Sequence, residues 1–156
     1  DWPGLIAENH RHNFILWHEE DLAGRDNQPA ARIEEARRTI DRHNQARNGT
    51  IEMMDLALAA MLPPPAAGLP VHSESPGMII DRLSNMALRE SQLTPRPETA
   101  EPSIADGSRR RLDAIRRQRQ RLESCLQELM LDLQNGTRDF LPARTMRISN
   151  DPDFTG

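Results

Sequence analysis

The chain has no lysine and no tyrosine, a single cysteine, and few aromatics beyond histidine: three phenylalanines and two tryptophans. All twenty basic residues are therefore arginine, which excludes chemistry through a lysine Schiff base or a tyrosine acid. With Cys125 alone, no intramolecular disulfide can form, and the expected setting is a reducing cytoplasm. No run reaches the roughly 18 to 20 apolar residues that a membrane span needs. The first residues lack the basic-then-apolar order of a signal peptide, although the chain begins at Asp1 rather than Met. Alternating strand patterns are missing too, as is any repeat of roughly 20 to 50 residues.

What remains is a chain of 156 residues, enough for one domain that buries roughly two-thirds of its unfolded surface. Its 12 prolines and 8 glycines gather mostly into linkers, so the segments between them have ordinary globular composition. A net charge of −4 gives no general attraction to phosphate backbones or anionic lipid, so neither nucleic acid nor membrane is expected as a partner. Arg109, Arg110, Arg111, Arg116, Arg117, Arg119 and Arg121 run against that balance. They read first as a solvated helix face paired to acidic neighbours, and second as an anion site.

The periodicity predicts an all-α fold, a four-helix bundle-like single domain with proline-rich linkers and an irregular C-terminal tail. Helices are expected over about 5–24, 29–62, 76–93 and 108–135, and the tail over 136–156. In the first, Phe14, Ile15, Leu16 and Trp17 put apolar surface on every side, which predicts burial all round. At about 100° per residue, Ile6, His10, Asn13, Trp17, Glu20 and Asp21 share one wedge of it. The second has the seam Ile33, Ala36, Ile40, Asn44, Arg47, Ile51, Met54, Leu58, with two polar residues in apolar register. Pro63, Pro64 and Pro65 stop it. Ser75-Pro76 reads as an N-cap and first turn for the third helix, with Ile79, Leu83, Met86 and Ala87 on its apolar face. The stretch from Thr94 to Gly107 reads as a mobile connector. The fourth helix repeats Leu112, Ile115, Arg119, Leu122, Leu126, Leu129 and Leu133 at spacings of three and four, and Asn135-Gly136 supplies its stop.

Several strings taken together carry a resemblance. They are Asn13 followed by Leu16-Trp17-His18-Glu19-Glu20-Asp21 and Arg25; Ile40-Asp41, Asn44-Gln45, Arg47-Asn48, Ile51-Glu52 and Asp55; Ser73-Glu74-Ser75-Pro76-Gly77; Asp81-Arg82-Leu83-Ser84; and Asn150-Asp151-Pro152. In these the chain resembles the bacterial family called domain of unknown function forty-two fifty-four. It departs from the family pattern at Glu90-Ser91-Gln92, where a more apolar and aromatic stretch is usual, and at Ser149, where a tyrosine is usual. The resemblance implies a helical fold, a bacterial source and a gene setting near glycosyltransferases and cell-envelope polysaccharide genes. It implies no reaction.

Polar residues on faces that the periodicity buries are the candidate ligand-binding set: Asn13, Trp17, Glu20, Asp21, Asn44, Arg47, Asn48, Asp55 and Arg119. A buried charge needs a partner, so Arg47 and Arg119 are expected to meet carboxylates such as Glu20 or Asp21. The alternative is an ion-pair network that sets helix register. Trp17 beside Asn13 and Glu20 would suit stacking on a sugar or base, or a tryptophan held in the core by one of those acceptors.

The pair Glu52 and Asp55, with Glu19-Glu20, resembles part of the metal site of the all-α nucleotide pyrophosphohydrolases of the MazG type. There, carboxylates from neighbouring helices hold Mg²⁺ and substrate phosphates. Ala23 and Gly24 stand where that pattern has a further acid, and Glu52 turns about 100° from the seam. His10, His12, His18, His43 and His72 show no Glu-x-x-His or His-x-x-x-His spacing, so they read as ordinary histidines. Cys125 flanks the apolar seam of the fourth helix and reads as a small core residue. A chorismate-mutase-like bundle is suggested only by Ile-Asp-Arg followed by further arginines, and it lacks the usual lysine.

The expected function is a non-catalytic accessory or binding protein of a cell-envelope or glycan pathway. It would self-associate as a homo-oligomer, bind a small polar or phosphorylated ligand, and need no cofactor. The alternative is a Mg²⁺-dependent all-α hydrolase of a nucleotide or phosphorylated substrate, with Glu20, Asp21 and Asp55 on the ion and Arg47 on phosphate.

Overall fold

Local signals at the helix ends explain most of the element boundaries. The computed structural model describes residues 1–25, 28–93 and 102–144. Asp1 accepts the Gly4 N–H at 2.9 Å and caps α1 (Trp2–Ala23), which therefore begins before Leu5. Helix α2 (Ala30–Met61) follows Pro29 and stops where Leu62 turns extended, the conformation a following proline imposes. The Ser75 hydroxyl accepts the Met78 N–H at 3.3 Å at the start of α3 (Pro76–Leu93). Helix α4 (Pro102–Gln134) starts at a proline, earlier than the expected residue 108, because a proline suits a first turn as well as it suits a connector. The rest of the expected connector, 94–101, lies outside the described residues, as does the tail from 145 onward with Ser149 and Asn150-Asp151-Pro152.

Gly136, at φ +65°, closes α4. Its N–H donates to Leu133 O at 3.2 Å and that of Thr137 to Asp132 O at 3.0 Å, the two bonds of a Schellman stop. The chain then forms β2 (Asp139–Phe140), which pairs in parallel with β1 (Val71–His72), Val71 opposite Asp139. Strands of two residues are too short to leave a periodic signal, so part of the expected irregular tail is in fact ordered. Among the described residues the fold is all-α apart from this pair.

Helices α1 and α2 run antiparallel. Trp2 Nε1 donates to Met54 O at 3.0 Å, Asn9 reaches Thr50, His12 meets His43 and Arg32 binds Glu19 at 3.1 Å. Leu58, Ile79, Met86, Leu122, Leu129, Leu133 and Phe140 form the main core. Ile51, Met54 and Ile80 form a second cluster closed by Trp2, Leu5 and Ile6. Leu112, Leu122, Leu129 and Leu133 of the α4 register and the second half of the α2 seam are buried as expected, whereas Leu126 is half-buried and Cys125, expected in the core, is exposed.

The expectation that α1 is buried all round is corrected. Leu16 is buried, whereas Ile15 and Trp17 are half-buried and Phe14 is 48% exposed. Helix α1 packs on α2 and α3, which cover only part of its circumference.

Candidate functional site

On α1, Asn9 and Asn13 lie one turn apart and on the same face, both essentially inaccessible to solvent. Asn9 Nδ2 donates to Thr50 Oγ1 of α2 at 3.3 Å and to Asp81 Oδ1 of α3 at 3.0 Å. Asn13 Nδ2 lies 2.9 Å from the same Asp81 oxygen, 3.0 Å from Ser84 Oγ and 3.2 Å from Asn9 Oδ1. The carboxylate fixes which way the Asn13 amide points, since a reversed amide would set oxygen against oxygen. Thr50 anchors the far end by donating to Arg47 O at 2.7 Å.

Two atoms in this seam stay unsatisfied. Asn13 Oδ1 and Arg47 Nε are both buried, and neither has a hydrogen-bond partner among the described residues. Arg47 Nε stands 3.9 Å from Asp81 Oδ1, close enough for charge attraction and too far for a hydrogen bond. Each such orphan costs about 1–3 kcal/mol unless something else binds it. The two residues that carry the lone acceptor and the lone donor thus both approach Asp81 Oδ1, Asn13 through its Nδ2 and Arg47 through its Nε.

Ser84 extends the network outward. Its Oγ lies 2.9 Å from Nδ1 of the exposed His10, so the imidazole sits at the outer edge of the seam. No carboxylate bonds to the His10 ring among the described residues, so the pair lacks the third member that orients the base in a Ser-His-Asp arrangement.

Neighbouring the seam on the α1–α2 face, His12 Nδ1 and His43 Nδ1 are 2.8 Å apart, with ring centroids at 5.1 Å. An imidazole nitrogen lies roughly 1.1 Å from its ring centre, so the rings meet head-on, the geometry of an N–H···N bond rather than of two nitrogens converging on a metal. Only one nitrogen of such a contact can carry a proton. Burial holds His12 below the ordinary histidine range, helped by the charges of Arg11 and His43 against the opposing pull of Glu8. Burial likewise lowers His43, with Arg42 and Arg11 adding to it and Glu19 opposing.

The structure gathers only part of the sequence-predicted set. Asn13 and Arg47 share the seam; Asn44 is half-buried on α2, and Asn48 is exposed, accepting from Arg47 Nη2 at 3.4 Å. The carboxylate near Arg47 is Asp81, not Glu20 or Asp21. Glu20 is exposed, and Asp21 is an exposed partner of Arg25 at 2.6 Å. Arg119 lies 3.4 Å from Glu90 and 3.6 Å from Glu123, on the α3–α4 side. There a hydrogen bond from Arg116 and the charge of Arg119 hold the Glu90 carboxyl below its usual range. Trp17 packs edge-on against His18 with centroids 5.5 Å apart.

Asp55 is fully buried and has a different task from the one expected. Its Oδ1 accepts the Gly77 N–H at 2.7 Å and its Oδ2 the Ala143 N–H at 2.9 Å. In the antiparallel register Asp55 lies beside Trp2, some 18 residues of α1 from Glu20, or roughly 27 Å at 1.5 Å per residue. Glu20, Asp21 and Asp55 therefore cannot share one ion. No group of three or more His, Cys, Asp or Glu side chains is placed to hold a metal among the described residues.

Sequence reasoning missed Asn9, Thr50, Asp81, Ser84 and His10's bond. The Asn9–Asn13 spacing of one turn, and the Asp81–Ser84 spacing on α3, were the available signals. Among the described residues, no helix is long and apolar enough to cross a membrane. No curated protein and no solved structure matches the chain. Four seam residues, Asn13, Arg47, Asp81 and Ser84, come from the strings that carried the family resemblance, and the model of the protein family of unknown function DUF4254 matches residues 4–141, so the chain belongs to that family.

Proposed function

We propose that this chain is a non-catalytic binding protein that takes a small polyhydroxylated ligand, of the sugar class, in the seam of α1, α2 and α3. The observation that carries this reading is the pair of buried, unsatisfied atoms, Asn13 Oδ1 and Arg47 Nε. The first needs a donor and the second an acceptor. A hydroxyl group is both, so a polyhydroxylated molecule carries groups able to answer each atom. Asp81 adds an acceptor for a further hydroxyl, and His10 stands at the outer edge. A ligand of this class fits the cell-envelope or glycan setting that the family resemblance implies.

Self-association belongs to the same reading. Met53, Leu56 and Met61 of α2 are each more than half exposed, and apolar side chains grouped along one helix end are commonly covered by a partner surface. Light scattering at high micromolar concentration tests this part: a dimer or higher species supports it, and a monomer removes it.

Thermal shifts of the wild type and of Arg47→Met, against monosaccharides, nucleotide sugars and free nucleotides, test the ligand. A ligand at about 100 times its Kd stabilises the fold by about 2.7 kcal/mol, a plain rise in Tm. The reading requires that rise from a sugar-bearing compound in the wild type and its loss in the variant. If no compound raises Tm, a bridging water satisfies the two atoms and the reading fails. If free nucleotides act as well as their sugar conjugates, the phosphate-binding alternative replaces it.

A further inference from the structure

A cavity of about 370 Å³ lies between the end of α2, the Pro63–Pro65 run, the end of α4 and β2. Its distance along α2 from Arg47 and Thr50 makes it independent of the seam. The walls are apolar, led by Leu62, Pro64, Leu69, Leu133 and Phe140, and the volume falls within the roughly 300–1,000 Å³ of small-molecule pockets. The cavity is rigidly framed. Three consecutive prolines restrict one wall, Gly68 and Gly136 turn the chain at φ +81° and +65°, and Asp139 N–H donates to Pro70 O at 3.0 Å to pin the strand pair.

Two charged residues complete the lining, Arg138 and Asp139. Asp139 turns one oxygen to its own chain, its Oδ1 accepting the Phe140 N–H at 2.8 Å. Arg138 gives only its Nε, to Asp132 at 3.0 Å, and its two terminal nitrogens bond no described residue. A guanidinium with that edge uncommitted, beside a preformed apolar slot, suits a molecule with an apolar body and a carboxylate head. We infer that this cavity binds a small amphipathic carboxylate, its apolar part against Leu62, Leu133 and Phe140 and its carboxylate on the terminal nitrogens of Arg138.

Decanoate, with decanol and decylamine as head-group controls, is the probe, titrated below its aggregation concentration into the whole chain. Binding is followed by NMR at the Gly136 and Phe140 amides and by calorimetry. The inference expects saturable one-to-one binding of decanoate and at least about tenfold weaker binding by Arg138→Gln, with decanol held alike by both proteins. Ala59 of α2 also lines the cavity, and Ala59→Trp, which fills the slot, should remove both ligands while the circular dichroism spectrum and melting of the variant stay cooperative. Should that variant fail to fold, the Arg138→Gln comparison decides alone. No saturable shift, equal decanoate affinity in Arg138→Gln, or decylamine binding as tightly as decanoate would each overturn it.

Discussion

The Asp55 carboxylate accepts the Gly77 amide at 2.7 Å, joining α2 to the first turn of α3. Its other oxygen takes the Ala143 amide, so one buried side chain fastens a helix start and the segment after β2. The N-terminal end of α3 carries partial positive charge, which makes a carboxylate the natural partner there. The contact also explains the glycine. A Cβ at Gly77 would stand 2.7 Å from Asp55 Oδ1 and 2.8 Å from Ile51 O, and backbone atoms at that distance do not yield readily.

Asp55→Ala should therefore leave the buried Gly77 N–H and the half-buried Ala143 N–H unpaired and destabilise the fold by about 2–5 kcal/mol, with Asp55→Asn milder because one acceptor remains. Gly77→Ala should cost about 1–3 kcal/mol through overpacking. Urea unfolding at neutral pH measures all three. A loss below about 0.5 kcal/mol in Asp55→Ala would show that the carboxylate is not the clamp.

The His12–His43 contact predicts a pH dependence. Both groups are lowered in the folded state from an ordinary value of 6.5, so each favours the neutral form there. Their contribution is fully present above pH 6.5 and is lost as pH falls below 6.5 and through the folded values, because the unfolded chain binds protons first. Urea midpoints from pH 8 to pH 5 should fall in that window, and His43→Gln should flatten the slope by removing one titrating group. An identical slope in the variant would place the acid sensitivity elsewhere.

Arg119 and Asn13 separate surface pairing from buried pairing. Arg119 is partly solvated between Glu90 and Glu123, so Arg119→Ala should change stability by less than about 1 kcal/mol. Asn13 is buried against Asp81, and Asn13→Ala should cost about 1–3 kcal/mol. Denaturant titration of both variants checks the order, and a reversed order would refute the placement of the polar centre between α1 and α3.

The helical architecture was legible because core leucines, capping serine and stopping prolines act within a few residues of one another. Leu112 to Leu133 announced α4 by spacing alone, and Ser75-Pro76 announced α3. The polar centre was half legible. Asn13 and Arg47 stood out as polar residues in apolar register, but their shared partner, Asp81, is 68 residues from Asn13 along the chain. Helix periodicity says which face a residue occupies and nothing about which helix meets it. Asp55 misled for the same reason. Its spacing from Glu52 suggested a metal pair, while the amides that hold it come from Gly77 and Ala143, whose backbone groups carry no side-chain signature.

The most direct test of the seam is NMR of the Arg47 Nε–H resonance during titration with the sugar-bearing compound that raises Tm most. The account predicts a saturable downfield shift of that resonance and slower exchange of its proton, together with a shift of the Asn13 side-chain amide, as a hydroxyl occupies both unsatisfied atoms. An Arg47 Nε–H signal that stays unchanged while ligand binds would contradict the account and move the binding site out of the seam.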